Sequence, residues 1–238
     1  MSTAKKSRKQ IAKENQRLAV ITDGCNPELV EGADFDGFLE IPIIKKPKRL
    51  MIPRAVVPFN RKGAVEPERF AVCEYENDRN FADLLRDPMP FVKELRKYQA
   101  FITPDASLYW DMPLAAQIVN KYRNHAIGYY MQSKGIYTLP NVRWGDERTY
   151  TTKVLPEKLS FLGVEKNSLV SIGSYGVVKT KEEKRHLKAG LESMLETLTP
   201  EVVLVYGSMP EDVFNDYRNK TFFVQYPDWT SYIRSDEE

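Results

Sequence analysis

The sequence predicts an α/β protein built on a mainly parallel sheet, and three observations carry that expectation. Short apolar runs alternate with helical patterns about five times along the chain. The runs are too continuously apolar to be half-exposed, which is the pattern of strands covered on both faces. No glycine fingerprint of a dinucleotide fold follows the first of them, so a barrel-like arrangement, a partial or irregular β/α barrel, is favoured over a doubly wound open sheet.

Taken in order, residues 1–19 form a basic arm. They favour a helix by propensity but lack an apolar stripe, and they carry Lys5, Lys6, Arg8, Lys9, Lys13 and Arg17. These cations would bind the phosphates of a nucleic acid; a solvated tail is the plainer alternative. Residues 20–69 are punctuated by proline and glycine, leaving room for short extended pieces at 39–44 and 55–59. This segment is expected to wrap the core. The α/β core itself spans 70–228, and 229–238 form a C-terminal tail.

Within the core, 70–73 reads as a strand, and 81–98 as a helix interrupted by Pro88 and Pro90. A strand at 101–103 leads to a long helix over 112–134. Asp111 is its expected N-cap, Pro113 suits its first turn, and Gly135 is its left-handed stop. Leu114, Ile118, Tyr122, Ala126 and Tyr129 fall on one face of it. At ~1.5 Å per residue such a helix crosses a whole sheet, as parallel strands require. A strand at 136–142 follows, then a short helix at 155–162, a strand at 168–172 and a helix at 182–198. The β-branched run 202–206, a short helix at 211–217 and a last strand at 222–225 complete the pattern.

Composition removes several classes of function. With 42% hydrophobic and 29% charged residues the chain has an ordinary soluble composition. No apolar run approaches the roughly 18 residues of a membrane span, and the basic N-terminus lacks the apolar segment of a secretory signal. No membrane association is expected, and the location is the cytoplasm, that of the host cell if the protein is phage-encoded. Cys25, Cys73, His125 and His186 are too few and too scattered for a zinc site. A metal would be a hard cation such as Mg²⁺, held by carboxylates.

Right-handed crossovers place all loops that follow parallel strands on one edge, where ligands of such folds bind. Reading those strand ends yields Glu74 and Glu76, then Asp105 and Ser107, then Arg143, Trp144, Asp146 and Glu147, then Ser174 and Tyr175, then Tyr206 and Ser208. Asp105 and Asp146 are the candidate catalytic and metal-binding pair. Arg143 would pair with a phosphate and Trp144 stack on a base or sugar. Ser107, Glu147, Ser174 and Tyr206 complete the candidate ligand-binding set. Each has a structural alternative: a turn for Asp105, a cap or arginine pair for Asp146, a core position for Trp144, tight turns for the glycine-flanked serines. Neither histidine has a nucleophile at a recognisable spacing, and the tyrosine-rich segment 122–130 reads as helix packing rather than as a nucleophile for strand transfer.

The series Pro104-Asp105-Ala106-Ser107, Asp111-Met112-Pro113-Leu114, Tyr122-Arg123-Asn124, Gln132 to Ile136, Pro140 to Asp146 and Val205-Tyr206-Gly207 resembles the family called domain of unknown function 4417. The resemblance covers roughly residues 53–226. It implies an origin in phages or mobile elements, largely of Gram-positive bacteria, and brings no activity with it. The leading expectation is a phage or mobile-element accessory protein that associates with nucleic acid or a nucleotide-containing ligand at the strand ends. The alternatives are a metal-assisted hydrolase of phosphoester or glycosidic bonds, and a non-catalytic inhibitor that binds a host protein.

Overall fold

The computed structural model describes residues 26–236. The basic arm with Lys5, Lys6, Arg8, Lys9, Lys13 and Arg17, and Cys25, lie outside the described residues. A small antiparallel hairpin, β1 (Phe35–Asp36) with β2 (Ile41–Pro42), comes first. A four-stranded parallel sheet follows in the order β3 (Ala55–Pro58), β4 (Phe70–Cys73), β5 (Ala100–Ile102), β6 (Thr138–Leu139). A three-stranded parallel sheet contains β7 (Leu169–Gly173), β8 (Val202–Tyr206) and β9 (Phe222–Tyr226). The two join where Asn141 pairs in parallel with Ser171: Val142 N donates to Ser171 O at 2.8 Å and Ser171 N to Pro140 O at 2.9 Å.

Strands β3 to β9 therefore run side by side, and their alternation shows that the surface they make is curved. Val56, Ala71, Ile102, Leu139, Leu169, Leu204 and Tyr226, at least one from every strand, form a single apolar cluster on the inner side. Their sequence neighbours Val57, Val72 and Phe101 pack outward into a second cluster, and Val170 and Val203 into a third. The fold is thus parallel and barrel-like. Between β9 and β3 no strand ladder closes it among the described residues; the Tyr226 hydroxyl donates to Pro53 O across this seam. The covering helices are α1 (Ala82–Arg86), α2 (Val92–Leu95), α3 (Leu114–Ser133), α4 (Glu147–Tyr150), α5 (Lys181–Leu198), α6 (Glu211–Phe214) and α7 (Trp229–Asp236).

Five local expectations change, the first being the 229–238 tail, which holds α7 with Trp229 and Tyr232 packed on the core. The sheet takes β3 from the segment expected to wrap it; as an edge strand β3 tolerates Pro58, whose missing N–H faces no partner strand. The stretch 155–162 yields only a 3₁₀ turn, Leu159–Phe161. Pro113, with an extended ψ of 133°, occupies the cap position of α3, so Asp111 does not cap the helix. The stripe of α3 behaves differently as well. Leu114, Ile118 and Tyr122 are only half-buried and pack on Ile41 and Leu159, while Asn124, Ile127 and Gly128 are fully buried. The helix is covered on two sides, so its polar residues are buried too, and they find backbone partners there.

Candidate ligand cleft at the strand ends

The ends of β4 to β7 carry a buried hydrogen-bonded network. The Tyr75 hydroxyl lies 3.0 Å from Asn141 Oδ1 and 2.7 Å from Ser171 Oγ. Asn141 Nδ2 donates to Asp105 Oδ1 at 2.7 Å, and Arg143 Nη1 to Asp105 Oδ2 at 2.8 Å. Both Asp105 oxygens are thus engaged in a residue that is almost fully buried. Burial pushes its carboxyl up from the ordinary range, while Arg143 and Asn141 pull it back. The loop bearing Asp105 is pinned by α3: Asn124 bonds both backbone groups of Ala106 (3.0 and 3.2 Å), and Asn120 donates to Ser107 O at 2.8 Å.

Next to this network Glu74 is buried with neither carboxylate oxygen hydrogen-bonded among the described residues. Burial, reinforced by the charges of Glu76 and Asp105, drives its carboxyl well above the usual range, and Lys62 acts weakly the other way. The mouth of the curved sheet is filled by Tyr75 stacked on Tyr206, with ring centres 5.3 Å apart. Gly173 is required beside them, since a Cβ there would stand 2.6 Å from the Tyr75 ring.

A cleft of about 300 Å³ opens beside the plugged mouth, between the loops that follow β5, β6 and β7 and the first turns of α5. Its floor is apolar, formed by Val142, Trp144, Ile172 and Leu187. Tyr109 and Trp110 stand at its rim, 53% and 64% exposed. Trp144 is held by Nε1 donating to His186 O at 3.3 Å, and its indole lies so close to α5 that a Cβ on Gly190 would fall 2.2 Å from Nε1. The start of α5 is fixed by a capping box: Thr180 Oγ1 accepts from Glu183 N at 3.1 Å, and Glu183 Oε2 from Thr180 N at 2.8 Å.

Arg143 and Trp144 both line this cleft, and Asp105 stands behind Arg143 as its carboxylate partner. Asp146 serves another arginine. It caps α4 by accepting from Arg148 N at 2.9 Å and holds the Arg148 guanidinium at 2.7 Å. The two aspartates are therefore each committed to a different cation, and no group of three or more His, Cys, Asp or Glu side chains among the described residues is arranged to hold a metal. Ser107 Oγ donates to Asp78 at 3.0 Å, Glu147 pairs with Lys153 at 2.6 Å, and Ser174 Oγ donates to Ser208 O at 2.6 Å. The Tyr206 hydroxyl accepts from Trp229 N at 2.9 Å. None of these four lines the cleft. Tyr109, Trp110, Thr180 and His186 do, and sequence reading passed over them as lining residues. The usable signal was the Tyr-Trp pair in a polar loop directly after a strand end.

Over 133 residues the chain is 32% identical to the Gene 1 protein of Mycobacterium phage D29, an alignment covering 56% of this chain and 47% of that protein. It is 30% identical over 133 residues to the Gene 1 protein of Mycobacterium phage L5, covering 56% of this chain and 55% of that one. The chain thus spans about half the length of these relatives. No solved structure matches it significantly. Residues 33–227 match the family described as Domain of unknown function (DUF4417), and the chain, related to phage proteins, belongs to that family.

Proposed function

We propose that this phage-related protein binds a nucleotide-containing ligand in the cleft beside Arg143. The carrying observation is the exposed Tyr109–Trp110 pair over an apolar floor, with one arginine already oriented by a buried carboxylate. Arg143 gives Nη1 to Asp105, and its other nitrogens have no partner among the described residues. They remain as donors for a phosphate or a base edge. A volume of about 300 Å³ suits one base with its sugar and not a duplex. An exposed indole at the rim offers the face on which a base stacks. A single-stranded nucleic acid would insert one base in the same way, with Lys5, Lys6, Arg8, Lys9, Lys13 and Arg17 adding phosphate contacts.

The test is a titration of mononucleotides and short single strands, followed by tryptophan fluorescence. Trp110→Ala weakens binding by about tenfold, the loss of one stacked base. Deleting residues 1–19 flattens the salt dependence for the single strand and leaves the mononucleotide unaffected. Unchanged affinity in Trp110→Ala, or no binding of any of these ligands at low salt, overturns the reading.

A further inference from the structure

A second cleft lies on the opposite edge of the sheet, at the starts of β3 and β4. Their register pairs Ala55 with Phe70, and Arg54 and Arg69 are the residues that immediately precede the two strands, Arg69 closing a 3₁₀ turn. The backbones of adjacent strands are only about 4.8 Å apart, so the two positive side chains leave the same edge of the sheet. The compensation within the chain is slight. The Arg54 guanidinium has no partner among the described residues, and its backbone N–H alone is bonded, to Gln99. Arg69 Nη1 stands 3.6 Å from Glu66 in an exposed pair, a contact worth little.

Both arginines open onto this cleft of about 290 Å³, and its floor is aromatic. Trp229 and Tyr232 of α7 are stacked with ring centres 5.7 Å apart and planes 14° from parallel, and Phe70 meets Tyr232 edge-on. Two guanidiniums at one cleft, their charge offset only in part by Glu66 at its edge, leave a net positive site for an anion. A phosphate monoester carries between one and two negative charges near neutral pH and matches the planar donor forks; a carboxylate carries only one. The stacked rings supply a flat surface for a planar group attached to it.

We propose that this cleft binds a phosphate monoester bearing a flat ring, with Arg54 and Arg69 on the phosphate and Trp229 and Tyr232 against the ring. A free mononucleotide and the 5′-phosphorylated end of a single strand share this chemistry. The site stands apart from the strand-end cleft and does not depend on it.

The experiment uses the full chain carrying Trp110→Ala and Arg143→Gln, so that the other cleft lacks both its stacking ring and its phosphate donor and the two readings fail separately. Calorimetry at low ionic strength compares adenosine monophosphate with adenosine, and a 5′-phosphorylated single strand with its unphosphorylated form. Adenosine monophosphate is expected to bind at least about tenfold more tightly than adenosine. Arg54→Gln with Arg69→Gln removes that preference, while Arg218→Gln, an exposed arginine elsewhere, preserves it. Preference for the phosphorylated strand alone assigns the site to nucleic-acid ends, and equal preference in both pairs assigns it to the monoester itself; either supports the site. Equal affinity for adenosine and its monophosphate together with no preference between the strands, an undiminished double variant, equal weakening by Arg218→Gln, or competition by an acidic peptide as effective as the monophosphate overturns it.

Discussion

Glu74 and Asp105 stand at the ends of neighbouring strands, and their surroundings give them opposite characters. Asp105 meets Arg143 and Asn141, whereas Glu74 meets no hydrogen-bond partner among the described residues. In the unfolded chain Glu74 titrates near 4.5, and in the folded protein well above that. Between those two values the folded state keeps a proton that the unfolded state has released. The contribution of Glu74 is therefore complete below 4.5 and is lost as the pH rises through the folded value. Glu74→Gln preserves the shape and removes the proton, so the variant gains on the parent as pH rises, by at most about 1.4 kcal/mol per pH unit. Urea denaturation of both proteins from about pH 5 to about pH 9 checks this; parallel profiles would sink it. Lys121, buried and lowered to about 7, tilts both profiles the other way and cancels in the comparison. Sequence reading placed Glu74, Arg143 and Trp144 at strand ends because position after an apolar run is a local property. That Glu74 would be unpartnered was not legible, because burial is set by residues far away in the chain.

At the level of elements, α3 shows how local and non-local signals divide. Its Gly135 stop, at φ +79°, was readable from residue type and position. Gly128 was not, although it decides how close α3 lies to β5: a Cβ there would stand 2.3 Å from Thr103 Cγ2. Thr103 Oγ1 in turn accepts from Asn141 N at 2.8 Å, so the same residue joins helix, strand and the network behind Arg143. Gly128→Ala gains up to about 1 kcal/mol of helix propensity and loses about 1–3 kcal/mol to overpacking. The expected net result is a less stable protein, read from the denaturation midpoint, and a stabilised variant would contradict this packing. The capping box of α5 was missed for a different reason. The helix start was read at 182, one residue from Lys181, and Thr180-x-x-Glu183 carries the local spacing of a capping box, but the pair was not singled out as one.

For the whole molecule, the seam between β9 and β3 is the weak line of an otherwise continuous parallel surface. The Tyr226 hydroxyl and the packing of α7 bridge it in place of a ladder. Tyr226→Phe removes the bond to Pro53 O and is expected to cost about 1 kcal/mol. Amide hydrogen exchange should quicken in β9 and remain unchanged in β4 and β5; uniform acceleration, or none, would show that the seam carries no separate weakness.

The alternation of strand and helix, the parallel barrel-like class and the edge where polar residues gather were all present in the order of residues. Periodicity and polarity are properties of a few neighbouring side chains, and crossover handedness extends them to one edge of a sheet. Which groups meet there was decided in three dimensions. Asp105 and Asp146, read together as a metal pair, are divided between Arg143 and Arg148, and Tyr109 and Trp110 stand over a cleft whose far wall is α5. Such meetings depend on strand register, on the glycines that let helices approach, and on loops converging from distant parts of the chain, and no local pattern encodes them.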